Sequence, residues 1–370
     1  MRKSNKAFRF RIYPTAEQEE LFARTFGCCR FLYNRMLSDK IEEYKKTGKM
    51  LRTTPAAYKK EFPWLKEVDS LALANVQLHL ERAYRNFFEC PKTGFPKFKS
   101  KHHSRSSYTT NLVNGNIRLL TNGIRLPKAG VVKAKLHRPI PEGFRMKSVT
   151  VIKQPSGKYY VSILFEYCTD ENQVRDREER EQKVIGIDYA MHGLAVFSDG
   201  RRCEYPDYYR RSERRLKMEQ RKLSHCKRGS SNYQKQKKKV ALCHEKVKNQ
   251  RKDFHHKLSR KLAEAYDVVA VEDLDMKAMG QCMNFGKSVA DNGYGMLLDM
   301  LSYKLEDRGR KLVKVDRFFP SSKRCSNCGK VKQVLPLSER VYRCECGYTE
   351  DRDVNAAVNI REEALRMINA

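Results

Sequence analysis

The sequence predicts an α/β domain in its second half, preceded by a β-rich module that a helical segment interrupts. Three observations carry this expectation. Two short apolar runs, VIGID (184–188) and VVAVEDL (268–274), finish in acids, the pattern of buried parallel strands that end at an open sheet edge. Period-two alternation opens the chain and returns over residues 148–167. Between those two stretches lie apolar residues at helical spacing.

Each element follows from local pattern. FRFRIY (8–13) alternates Phe8, Phe10 and Ile12 with Arg9 and Arg11, a strand with one apolar and one cationic face. Pro14 stops it, and Thr15 with Gln18 forms a capping box that opens a helix. Phe22, Phe26, Leu32, Met36 and Leu37 supply that helix with a core stripe. A second helix begins near Ser70, with Leu73, Val76 and Leu80 inward and Gln77, Arg82 and Arg85 on or near the opposite side. Residues 148–167 read as a hairpin turning at Pro155-Ser156-Gly157, so one β module is split by helices at 15–90. Residues 169–183 form a charged connector. KVIGIDYA and GLAVFSDGRRCEYP then read as two strands joined by a tight turn. A long polar helical hairpin spans 210–261, turning at HCKRGSSN (225–232), with His255-His256 as charge decoration upon it.

Charge narrows the function. The 370 residues include 76 Lys or Arg against 44 Asp or Glu, a net charge of +32. A fold with that much like charge repels itself unless a polyanion neutralises it, and nucleic acid is the usual one. The surplus is concentrated. Residues 90–141 hold eleven Lys or Arg and no acid, and residues 210–261 hold twenty against four acids. Within the first stretch FPKFKSKHHSR (95–105) interleaves aromatics with cations. Mean hydropathy is −0.74, and no apolar run approaches the roughly 18 residues of a membrane span. The basic start MRKSNKAFRFRIYP lacks the apolar region of a secretory signal.

Two residue sets point to metals. Asp188 and Glu272 end the two apolar strands, and Asp353 opens a final apolar helix, DVNAAVNI (353–360). Acids of this kind also cap helices or pair with cations, and Asp273 and Asp275 are read in that way. Three carboxylates brought together need cations to stay ionised, and Mg²⁺ prefers hard oxygen ligands. Two such ions about 3.5–4 Å apart would activate water and stabilise the leaving oxygen of a phosphodiester, the chemistry of RNase H-like nucleases. Twelve cysteines in a chain without a secretory signal favour metal binding over disulfides. Only CSNC (Cys325, Cys328) and CEC (Cys344, Cys346), each followed by glycine, have ligand spacing, and they predict a structural Zn²⁺ in a ribbon.

FFPSSKRCSNCGKV (318–331) and YRCECGYTEDRDVNAAVNI (342–360) resemble the C-terminal signature of the TnpB (OrfB) proteins of insertion sequences. GIDYA, VVAVEDL and GFPKFKSK (94–101) resemble earlier motifs of the same family, in the expected order. The resemblance implies a wedge-type β-barrel (1–14 and 106–180) interrupted by a helical recognition domain (15–105). A RuvC-like RNase H domain (181–318 and 348–370) with an inserted zinc ribbon (319–347) would follow. It implies Asp188, Glu272 and Asp353 as the catalytic Mg²⁺ ligands, with Asp353 preferred to Asp351 because the family ligand lies two residues before Asn. It further implies an RNA-guided DNA endonuclease whose partners are a non-coding RNA from the transposon end and double-stranded target DNA beside a short adjacent motif. Lys97, Lys99, Lys101 and Arg105 are then candidate backbone contacts, and Gln77 a candidate reader of the motif. The expected setting is the prokaryotic cytoplasm, at the nucleoid. A guided repressor without cleavage and a transposition accessory protein are the rival readings.

Overall fold

The computed structural model describes residues 2–169, 182–191, 193–281, 286–336 and 338–369. The chain packs as two compact units, Met1–Thr169 and Asp170–Ala370. Nearly all of the charged connector predicted at 169–183 falls outside the described residues.

In the first unit strand β1 (Arg2–Tyr13) leads into helix α1 (Ala16–Thr47). The expected capping box is present: the Thr15 hydroxyl accepts from the Gln18 amide, and the Gln18 side chain accepts from the Thr15 amide. Gly48 ends the helix at φ +67°, the left-handed conformation that glycine adopts without a Cβ penalty. Helix α2 (Pro55–Glu61), which the sequence pattern did not reveal, precedes α3 (Ser70–Glu89). Asp69 caps α3 by accepting from the Leu71 amide. Strands β2 (Ser106–Asn111), β3 (Arg118–Leu120), β4 (Gly123–Leu126), β5 (Gly130–Lys135), β6 (Arg145–Lys153) and β7 (Tyr159–Thr169) complete the unit.

Their order is β2-β6-β7-β1-β5-β4-β3, an antiparallel sheet curled as a half-barrel. The first strand therefore sits between β7 and β5, both formed more than a hundred residues later, as a β module split by helices requires. The expected wedge-type β-barrel is present as this half-barrel, with β2 and β3 as its edge strands. Phe8, Phe10 and Ile12 are buried with Val161, Ile163 and Phe165 of β7 and with Phe22 and Leu32 of α1. On the other face of β1 the Arg9 guanidinium lies 4.0 Å from the Tyr160 ring centre.

The second unit begins with β8 (Val184–Tyr189), β9 (Ala195–Phe197) and β10 (Arg202–Cys203). The helical hairpin follows as α4 (Tyr208–Ser224) and α5 (Ser231–Ala265), turning where the sequence placed it. Its two arms are tied where the Gln236 amide donates to the Glu219 carboxylate at 2.6 Å. His255 departs from expectation. It is fully buried rather than decorative, with Nε2 2.7 Å from the Asn292 carbonyl and burial lowering its pKa to about 4. Polar periodicity hid it because most of α5 is solvent-facing while its C-terminal turns, with His255, Ser259, Leu262 and Ala263, are buried.

Next come β11 (Val268–Glu272), α6 (Met276–Gln281), α7 (Gly286–Asn292), α8 (Tyr294–Glu306) and β12 (Lys311–Val315). The small hairpin β13 (Val341–Arg343) and β14 (Thr349–Asp351) precedes the last helix, α9 (Arg352–Asn369). The main sheet has the order β10-β9-β8-β11-β12, with β8, β11 and β12 parallel and β9 antiparallel to β8. Helix α9 lies directly on this sheet. A Cβ at Gly186 of β8 would stand 2.0 Å from the Ala357 carbonyl of α9, so only glycine fits there. Among the described residues, no helix is long and apolar enough to cross a membrane.

Candidate active site

The parallel register pairs Ile187 of β8 with Val271 of β11. Asp188 and Glu272 are each one residue further, so they project on the same side of adjacent strands about 4.8 Å apart. Asp353 stands in the first turn of α9, the helix packed on β8. The three predicted acids are thus brought to one sheet edge. Asp188 feels the other two electrostatically: it titrates well above the usual carboxylate range, first because it is buried, then because Glu272 and Asp353 are negative. Burial also raises Glu272, opposed by a hydrogen bond that the Ser321 hydroxyl donates to its Oε1.

The neighbouring acids have other work. Asp351 accepts from the Asp353 and Val354 amides at 3.0 and 3.1 Å, capping α9 and leaving the Asp353 side chain free of that task. Asp273 pairs with Lys314 at 3.0 Å and Arg317 at 3.3 Å. Asp275 accepts from the first amides of α6. Sequence reasoning missed Arg202, which reaches Asp351 at 2.7 Å and Asp353 at 3.6 Å. It also missed Tyr294, fully buried and electrostatically coupled to Asp188 and Glu272, whose hydroxyl has no hydrogen-bond partner among the described residues. A lone cation and a lone aromatic give no periodic signal that would have identified them.

All four predicted cysteines meet. The Cys325, Cys328, Cys344 and Cys346 sulfurs lie within 4.8 Å of one another, with Cys325–Cys346 at 3.7 Å and Cys328–Cys344 at 3.6 Å. A tetrahedron with Zn–S near 2.3 Å has sulfurs about 3.8 Å apart, so the cluster is compatible with zinc. The Tyr348 amide donates to Cys346 and holds its pKa down at about 6, favouring the thiolate form. The knuckle is bolted to α9. Asn355 Nδ2 donates to the Arg324 carbonyl at 2.8 Å, and Asn359 Nδ2 donates to the Ser321 and Arg324 carbonyls at 2.8 and 2.7 Å. A pair of asparagines four residues apart in an apolar helix was the available signal for this contact.

The candidate nucleic-acid contacts divide. Lys97, Lys101 and Arg105 are exposed. Lys99 is half-buried, its ammonium 3.8 Å from the Tyr33 ring centre and its backbone held by Asn34 of α1. Lys99 and Arg105 line a cavity of about 170 Å³ with Arg30 and His79. The Gln77 amide donates to Glu81 at 2.8 Å.

Sequence comparison connects this geometry to known proteins. The chain is 35% identical to a "Putative RNA-guided DNA endonuclease" of Streptomyces pristinaespiralis, over 99% of this chain and 90% of that one. The chain belongs to the TnpB (OrfB) family. InsQ of Escherichia coli K12, named "Putative RNA-guided DNA endonuclease InsQ", is 30% identical over 97% of this chain and 92% of its own. The OrfB/IS605 profile, described as "Probable transposase", matches residues 166–283, and a Cas12f1-like TNB domain profile matches 294–360. An OrfB/IS605 profile described as "Helix-turn-helix domain" matches residues 1–49, which here hold β1 and α1. Among solved structures, a Cas12f1-sgRNA-target DNA complex aligns with a TM-score of 0.59 at 13% identity, over 97% of this chain and 99% of that one. That likeness is one of fold.

Proposed function

We propose that the chain is an RNA-guided DNA endonuclease, cutting guide-complementary DNA at the edge where Asp188, Glu272 and Asp353 meet. The reading is supported by Asp188 and Glu272 ending paired strands, with Asp188 buried and within electrostatic reach of Asp353. In this reading residues 181–318 and 348–370 form a RuvC-like RNase H domain and residues 319–347 its zinc ribbon.

The residues present fit the metals implied. Three carboxylates, one of them buried and raised by its neighbours' charge, form a hard-oxygen donor set whose repulsion a divalent cation relieves. Asp188, Glu272 and Asp353 would hold Mg²⁺, and the four thiolates would hold Zn²⁺ with no position left open for chemistry. Mg²⁺ bound there supplies an activated water and stabilises the leaving 3′ oxygen. The chain's own groups do the rest. Ser321 fixes one oxygen of Glu272, Asp351 caps the helix that presents Asp353, and Arg202 offsets part of their negative charge.

Sequence choice would come from base pairing with an RNA derived from the transposon end, and the protein would read only a short motif beside the target. The cationic hairpin α4–α5 and the exposed Lys97, Lys101 and Arg105 suit phosphate, while exposed Phe95 and Phe98 offer faces on which bases stack. The test is cleavage by the protein purified with co-expressed RNA and supplied with Mg²⁺. Sequencing of the copurified RNA identifies the guide. Duplex DNA matching it should be cut and a scrambled duplex left whole; absence of guide-dependent cutting across a library of flanking motifs overturns the proposal.

A further inference from the structure

Four hydrogen bonds tie the cysteine knuckle to α9, and a fifth runs from the same segment to the carboxylate edge. Asn355 and Asn359 sit one turn apart on the buried face of α9, exposed by 0% and 3%. Asn355 holds the backbone on both sides of Cys325: its Nδ2 donates to the Arg324 carbonyl at 2.8 Å, and its Oδ1 accepts from the Ser326 amide at 3.1 Å. Asn359 holds the same Arg324 carbonyl and, at 2.8 Å, the carbonyl of Ser321. The hydroxyl of Ser321 in turn donates to Glu272. Cys325 is itself 1% exposed, so displacement of its thiol moves the pinned segment rather than a free side chain. The same helix presents Asp353 two residues before Asn355.

We propose that Ser321, Asn355 and Asn359 are positioning residues that couple the two sites, so that metal held by the four cysteines sets how tightly the carboxylates hold a divalent cation. This coupling presupposes that Asp188, Glu272 and Asp353 are a cation centre. The physical reason is preorganisation. A carboxylate with one oxygen fixed by a hydroxyl presents the other in one direction, and partners of this kind are worth about 10–100-fold in metal affinity or activity. Bound zinc fixes the Cys325 position, the asparagines transmit it along residues 321–326, and the hydroxyl delivers it to Glu272.

The experiment measures Mn²⁺ binding to the full chain without RNA by electron paramagnetic resonance, with zinc content and melting temperature determined on the same samples. Ser321→Ala should bind Mn²⁺ about tenfold more weakly with an unchanged melting temperature. Ser321→Thr, which keeps the hydroxyl, should restore binding. Cys325→Ser should lose zinc and weaken Mn²⁺ binding by a similar factor. The Ser321→Ala/Cys325→Ser chain should be no weaker than either single variant, because both act through one path. Wild-type Mn²⁺ affinity in Ser321→Ala, or losses that multiply in the double variant, overturns the coupling. If Cys325→Ser lowers the melting temperature of the whole chain, the two Ser321 variants decide alone. Asp188→Ala separates the two levels: unimpaired Mn²⁺ binding there sinks the cation centre itself, whereas weakened binding there with normal binding in Ser321→Ala sinks only the coupling.

Discussion

Cys325, Cys328, Cys344 and Cys346 lie between residues 325 and 346 and converge from two short turns, whereas Asp188, Glu272 and Asp353 come from two strands and a helix far apart in the chain. The first site is assembled by local turns and shaped by backbone amides such as that of Tyr348. The second exists only because a sheet and a helix have packed. Their energetics differ in the same way. A backbone amide eases one of the clustered thiols towards its charged form, whereas Asp188 is pushed towards its neutral form by burial and by the charges of Glu272 and Asp353. The locally encoded cluster thus rests on turns and amides, and the globally encoded one holds Asp188 at an electrostatic cost.

The largest expected effect isolates the second site. Asp188→Ala should lower guided cleavage by about a thousandfold in a gel assay, a loss typical of removing a preorganised charge, while DNA binding and zinc content persist. Equal cutting by both proteins would remove the distinction between the sites. Cys325→Ser combined with Cys344→Ser should do the reverse first: zinc is absent by elemental analysis, and limited proteolysis opens residues 319–347, because a ribbon this small has too little core without metal. A ribbon that stays protected would count against the zinc reading.

Gly186→Ala probes the packing that seats α9 against β8. Its Cβ would collide with the Ala357 carbonyl, so stability should fall by about 1–3 kcal/mol or more in denaturant titration, with zinc retained. Wild-type stability would mean that α9 does not press on β8. The smallest effect is one of pH. Asp188 titrates above its ordinary value near 3.8 in the folded chain, so the folded state binds more protons than the unfolded one as pH rises above that value. The metal-free protein should therefore lose stability with rising pH over that window. Asp188→Asn should flatten the slope in thermal melts, and added Mg²⁺ should oppose it.

What was legible in the sequence follows the same division. Local codes read correctly: the Thr15–Gln18 capping box, the glycine turn at 157 and the spacing of the cysteines depend on neighbours a few residues away. The strand-end acids were visible one at a time, but their meeting was not, since register between β8 and β11 is a tertiary property. Ser321 gave no signal at all, and His255 was misread because a buried C-terminal stretch ends an otherwise polar helix. The open edge of the first sheet depends on which strands pair, which alternation cannot say.

Anomalous diffraction from crystals of the protein soaked in Mn²⁺ puts the central claim to the most direct measurement. The account predicts anomalous density bounded by Asp188, Glu272 and Asp353, lost in Asp188→Ala crystals. Side chains of these three residues refined too far apart to share an ion, with no density between them, would contradict it.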